Sequence, residues 1–172
     1  MALHAARPRP PLKTIAAALI VLIVALGGTA LWAGSLLREA RAEADDRQAA
    51  MRAAGTHAVR LLSVSHRSVD TDLERILDSS TGAARAEYTR TAADLRKSTL
   101  EDKVVQMGAL RACGLVSMKD GMARVMVVAD AVVRWEGAKG AGKAPQALFY
   151  RWNMEVTKVS KTWLVSKAEL VL

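Results

Sequence analysis

An α+β fold is predicted for most of this 172-residue chain, helices first and then an antiparallel sheet of about four strands. Three observations carry the prediction. From about residue 36 to about 97 apolar residues recur at three- and four-residue steps, the period of one helix face. From about residue 104 onward apolar and polar residues alternate instead, as on a strand with one face against a core. Ahead of both lies a stretch of 24 residues, 14–37, that carries no charge: TIAAALIVLIVALGGTALWAGSLL.

That stretch is long enough to be a membrane anchor. A helix of about 20 apolar residues crosses the hydrocarbon core of a bilayer, and inside lipid a helix satisfies its own backbone groups. A cleaved signal peptide begins in the same way, but its apolar part usually runs only about 7–15 residues. The small residues near Ala30 and Ala33 make imperfect cleavage sites. The expected division is a basic tail over 1–13, a transmembrane helix over 14–37, a helical stalk over 38–57 and an α+β domain over 58–172. The tail carries Arg7, Arg9 and Lys13 and no acid, which favours the cytoplasmic side for it and an extracytoplasmic position for the domain. No second stretch of that length occurs, so a single pass is expected.

After the span, Leu37, Ala40, Ala44, Met51, Ala54, Ala58, Leu61, Leu62 and Ser65 form one helical stripe within 36–68, thin and alanine-rich at first. Ala and Gln are weak knobs for a coiled coil, so a packed helix is expected. In the string SVDTDLERILDSSTG, Asp70 or Thr71 is the predicted helix cap, Leu73, Ile76 and Leu77 the buried face, and Gly82 the end of the unit. A third helix is predicted over 84–97, with Tyr88, Thr91, Ala92 and Leu95 on one side.

The strands follow. A first is predicted over 104–118, and Asp120-Gly121 is a hairpin signal. In the second, the odd positions from Ala123 to Trp135 are all apolar, while Arg124, Asp130 and Arg134 fall on even ones. A loop is predicted over 136–145. Then Leu148, Tyr150, Trp152, Met154 and Val156 alternate with Phe149, Arg151, Asn153 and Glu155. A turn over 158–161 leads to a fourth strand over 163–172.

Charge and composition exclude several function classes. The chain has a formal charge of +8, and the part beyond the tail +5, with its bases scattered among acids. Nucleic acid is therefore not an expected partner; attraction to anionic lipid headgroups is nonspecific at this level. The single Cys113 cannot form an intramolecular disulfide and reads as a small buried residue. With one Cys and three His, one of them in the tail, no metal site and no cofactor are expected.

The block RSVDTDLERILDSSTGAARAEY, the hairpin GLVSMKDGMARVMVVAD and the ending TWLVSKAELVL, in this order behind one span, resemble the Mce-associated membrane proteins of actinobacteria. The resemblance covers about residues 14–172 and rests most on Asp70, Asp72, Leu73, Thr81, Gly82, Tyr88 and the closing Trp163, Leu164 and Val165. It implies a membrane-anchored relative of the cone-shaped (cystatin-like) nuclear-transport-factor-two-like fold, a layout similar to the inner-membrane assembly factor of type IV secretion machines. It also implies a function: an accessory subunit that stabilises an Mce-type lipid-import complex, with Mce subunits or their permease, the bilayer, and further copies of itself as partners. The chain departs from the pattern at Val64-Ser65-His66, where an aromatic is common, and aromatics make up only 4% of it.

A cone can also host an enzyme, and that needs a titratable residue inside it with a partner. The candidates are His57, His66, Asp70, Asp72, Asp130 and Glu155. His57 and His66, nine apart on a helix, point to opposed faces. Asp70 and Asp72 suit a helix start, where carboxylates meet unpaired N–H groups. Asp130 lies on the polar side of its strand next to Arg124 and Arg134, where a charge pair is expected, and Glu155 alternates away from the Leu148–Val156 face in the same way. Trp135, Trp152 and Trp163 read as core or rim residues of the sheet, with a lipid-holding cone as the alternative. No nucleophile elbow, zinc motif, phosphate loop or dinucleotide fingerprint occurs. No residue is assigned a catalytic, cofactor or metal role, and the expected function is non-enzymatic. A lipid-binding module, an assembly factor of a secretion machine and a small secreted enzyme are the alternatives.

Overall fold

The computed structural model describes residues 12–137 and 142–171. Residues 1–11 of the expected tail, 138–141 of the expected loop and Leu172 lie outside the described residues. So do the side chains of 12–25, 30, 31, 33 and 36, onto which much of the expected span falls. The backbone of Leu12–Leu62 is one helix, α1. Among the described residues, no helix is long and apolar enough to cross a membrane.

The chain forms two compact units, 1–44 and 45–172. The second contains the end of α1, then α2 (Val69–Asp78), α3 (Gly82–Glu101) and four strands: β1 (Val104–Lys119), β2 (Met122–Trp135), β3 (Gln146–Val159) and β4 (Thr162–Leu170). The strands form one antiparallel meander in the order β1-β2-β3-β4, and the helices cover one of its faces.

The inner face is where α1 lies. Ala50, Ala54 and Ala58, four residues apart, are fully buried. They meet Val125, Val127 and Ala129 of β2 and Met154 of β3, none of which is exposed. Small residues on both sides let backbone approach backbone. The Cys113 thiol donates to the Met51 carbonyl at 3.3 Å. A methyl group at Gly108 would collide with Cβ of Leu62, and one at Gly55 would stand 2.8 Å from Leu110 Cδ2. Part of the expected stalk, 45–57, is thus core: Ala50, Ala54 and His57 are all fully buried.

Helix boundaries differ locally from expectation. The cap of α2 is Ser68 rather than Asp70 or Thr71; Asp70 and Asp72 lie in its first turn as expected, and Asp72 is buried and accepts from Ser65 N–H at 3.1 Å and Ser68 Oγ at 2.8 Å. Gly82 opens α3 rather than ending the preceding unit, and its φ of +53° is one that side chains rarely adopt. On α3, Tyr88, Thr91 and Ala92 are half-buried, Leu95 is 39% exposed and Thr99 is buried. His66 follows the end of α1 instead of lying on it.

Asp120-Gly121 makes the β1–β2 hairpin with both φ positive, 51° and 74°, as a two-residue turn of the primed type requires. The odd residues of β2 from Ala123 to Val133 are buried as predicted, and Trp135 at the end is half-buried. On β1 the inward residues Leu110, Cys113, Leu115 and Met118 are not evenly spaced. Two bulges, at 110–112 and 115–117, restore the register that a plain strand would lose. Both sheet edges are partly covered by the chain itself. His66 N–H donates to Val104 O and Gln106 N–H to Val64 O, at 2.8 and 2.9 Å. At the other edge Thr81 N–H reaches Val165 O at 2.8 Å, and Val165 N–H reaches Ser79 O at 3.0 Å.

Candidate functional site: the filled cone and the bare sheet face

The six titratable candidates do not converge. His57 is the one inside the core. Ser79 has its hydroxyl within 2.9 Å of Arg75 O and 3.0 Å of Ile76 O, so its proton points to a helix carbonyl and its lone pairs are free to accept. His57 Nδ1–H then donates to Ser79 Oγ (2.8 Å), and Nε2 accepts from the Tyr88 hydroxyl (3.2 Å), a tautomer assigned from this network. Burial, helped by the Arg60 charge, pushes the His57 pKa down to about 4. Burial, helped by Glu87, pushes Tyr88 up to about 12. All three groups are neutral at pH 7. The ring joins α1 to the end of α2 and to α3, which gives Tyr88 and the Ser79–Gly82 turn a structural reason to be where they are. In nucleophilic catalysis the serine proton would point at the imidazole; here it points away from it.

Asp72 is buried at the start of α2, with Arg75 3.6 Å away, and the remaining candidates are paired at the surface. Asp70 takes Arg96 at 2.6 Å, and that bond holds its carboxyl below the ordinary range. His66 Nε2 stands 2.9 Å from Glu136, whose other close partner is Arg67 at 2.7 Å. Asp130 pairs with Arg111 of the neighbouring strand, delivered by the bulge at 110–112, rather than with Arg124 or Arg134. Glu155 faces Arg124 at 3.6 Å. Among the described residues, no group of three or more His, Cys, Asp or Glu is placed to hold a metal.

The tryptophans are core and rim residues. Trp152 and Trp163 are buried, Trp152 stacked on Tyr150 with centroids 5.0 Å apart. Trp163 Nε1–H lies 3.4 Å from Asp46, which also binds Lys158 at 2.7 Å and so ties α1 to the far hairpin. Cys113 is half-buried, and burial raises its thiol pKa. Among the described residues, open recesses of about 190–330 Å³ lie at the surface.

Among the described residues, no helix lies over the opposite face of the sheet. That face carries Met107, Met126 and Phe149, the last 79% exposed. Here the sequence held the signal and no single strand revealed it. Arg124, Asp130 and Arg134 on β2 and Phe149 and Arg151 on β3 are the polar-side positions of two strands, and pairing them in register makes one surface.

A four-stranded antiparallel sheet with helices on one side is a fold that this chain shares with solved structures of other proteins. The VirB8 protein of Agrobacterium tumefaciens matches over 74% of this chain and 92% of its own, with a TM-score of 0.58 at 9% identity. The periplasmic domain of DotI matches over 70% and 91%, with a TM-score of 0.56 at 13% identity. At such identities the likeness is one of fold. Residues 12–172 match the family described as "Uncharacterized protein Rv1363c/MT1408-like", and the chain belongs to that family. It is 32% identical over 164 residues to "Uncharacterized protein Rv1363c" of Mycobacterium tuberculosis, spanning 94% of this chain but only 61% of that protein's length.

Proposed function

We infer that this protein is a membrane-tethered, non-enzymatic accessory subunit whose extracytoplasmic cone domain assembles or stabilises a larger envelope complex. The observation that carries the reading is the filled cone. The fully buried Ala50, Ala54 and Ala58 occupy the space against the sheet where a cone-shaped enzyme or lipid carrier would need a cavity, and the bare sheet face is left for contact. The uncharged stretch 14–37 supports a single-pass anchor with its basic tail in the cytoplasm. Confinement to one membrane raises the effective concentration of partners, so modest affinity at a small surface suffices.

The machine proposed first is an Mce-type lipid importer, on the resemblance of the 67–88 block, the hairpin and the closing strand. The second reading, a secretion-machine assembly factor, is favoured by the fold shared with VirB8 and DotI. One pull-down separates them: the full-length chain is drawn from native membranes in mild detergent and its companions are identified by mass spectrometry. Mce subunits and their permease are the expected companions. Secretion-machine components would move the role to the second reading. Recovery of the chain alone with a bound lipid would replace both with a lipid-binding module.

A further inference from the structure

The geometry points to the bare sheet face around Phe149 as the surface that receives the partner, and to the partner's contact segment as acidic with an apolar centre. This deepens the assembly role proposed above and rests on it. Most charges on this face cancel within it: Arg111 with Asp130, Arg124 with Glu155, Lys167 with Glu169. Arg134 on β2 and Arg151 on β3 are exposed and have no acidic partner among the described residues. Arg151 pairs in register with Val128, six residues along β2 from Arg134, so the two cations stand roughly 20 Å apart along the strands.

Between them lie Phe149, Val132, Ala147 and, on β1, Met107. A recess of about 300 Å³ beside Phe149, lined in part by Val128, Asp130 and Arg151, offers a seat for one apolar side chain. Two unneutralised arginines bracketing an apolar strip select carboxylates at both ends of whatever lies on it. About six residues of strand or thirteen of helix span that distance. A bilayer fits less well. A face for anionic headgroups would be uniformly basic, whereas this one has an ion pair, Arg111–Asp130, in its middle.

The test uses full-length protein in native membranes with Phe149 replaced by the photo-reactive p-benzoylphenylalanine. Illumination is expected to link position 149 to the subunit that the unmodified chain brings down. Peptide mapping is expected to place the link in a segment with Asp or Glu beside an apolar residue. Combining Arg134→Glu with Arg151→Glu, both exposed and without an acidic partner among the described residues, is expected to cut the yield on the order of tenfold without moving the thermal midpoint. Links to a second copy or to lipid, or a yield indifferent to the charge reversal, would overturn the inference. So would a pull-down that recovers the partner while position 149 links to nothing, and in that case the assembly role itself would stand. If the unmodified chain brings down no protein at all, the assembly role falls and the docking face with it.

Discussion

The two faces of the one sheet are made from the same strands and obey different rules. On the inner face of β2 every second residue from Ala123 to Val133 is small or β-branched and buried, because α1 lies against it with an alanine stripe. On the outer face the alternate positions hold Met, Arg, Asp and Val with nothing of the described chain over them. The inner face is constrained by volume, down to single methyl groups at Gly55 and Gly108. The outer face is constrained by charge and by what it must meet. Stability should therefore reside on one side and recognition on the other, and substitutions can separate the two.

The largest effect belongs to the inner face. Met154 is fully buried opposite Val125, so Met154→Ala is expected to cost about 2–5 kcal/mol and to lower the urea midpoint accordingly. A cost under about 1 kcal/mol would mean that α1 does not close on the sheet as tightly as the cysteine–carbonyl contact implies.

Next comes the buried imidazole, which brings a pH signature the outer face lacks. The His57 pKa falls from 6.5 in an unfolded chain to about 4 in the fold. Between those values the unfolded state binds the extra proton, so stability falls as pH drops through that window and is flat above it. The loss completed below pH 4 is about 3 kcal/mol. Thermal midpoints measured from pH 7 to pH 4 are expected to decline in the parent and to decline less in His57→Gln. Equal slopes would assign the acid sensitivity to other groups.

Asp72→Ala should follow at about 1–3 kcal/mol, since it strands the Ser65 N–H that the carboxylate accepts. Hydrogen exchange at that amide is the direct readout, and it is expected to quicken in the variant.

How much of this was legible depends on which interactions are local. The meander, its Asp120-Gly121 turn and the buried side of β2 follow from period and turn chemistry within a few residues. The true role of Asp72 did not follow, because a carboxylate in a first helical turn looks the same whether it caps its own helix or receives Ser65 and Ser68 from the segment before it. The inward side of β1 was hidden by its bulges, which a period-two reading cannot place. His57 was legible as a titratable candidate, but its partners Ser79 and Tyr88 lie 22 and 31 residues away on other helices. The outer face was unread for a related reason: its patch crosses strands, and register is a property of the sheet.

The smallest stability effect is the most informative about function. Met126 stands next to Val125 on β2 but points to the bare face, 46% exposed. Met126→Ala removes the same atoms as Met154→Ala, from the neighbouring strand and the opposite side. In the isolated protein it is expected to cost about 0.5 kcal/mol or less, because the side chain loses little burial and leaves no cavity. The thermal midpoint in detergent, compared with that in native membranes, then reads the face directly. A variant indistinguishable from the parent in detergent but less stable in membranes would show that something there covers the outer sheet, since a partner bound to the folded protein stabilises it and does so less when its contact is trimmed. A variant as damaged as Met154→Ala in both settings would mean that the face is already covered in the isolated protein, and the division of labour between the two faces would fail.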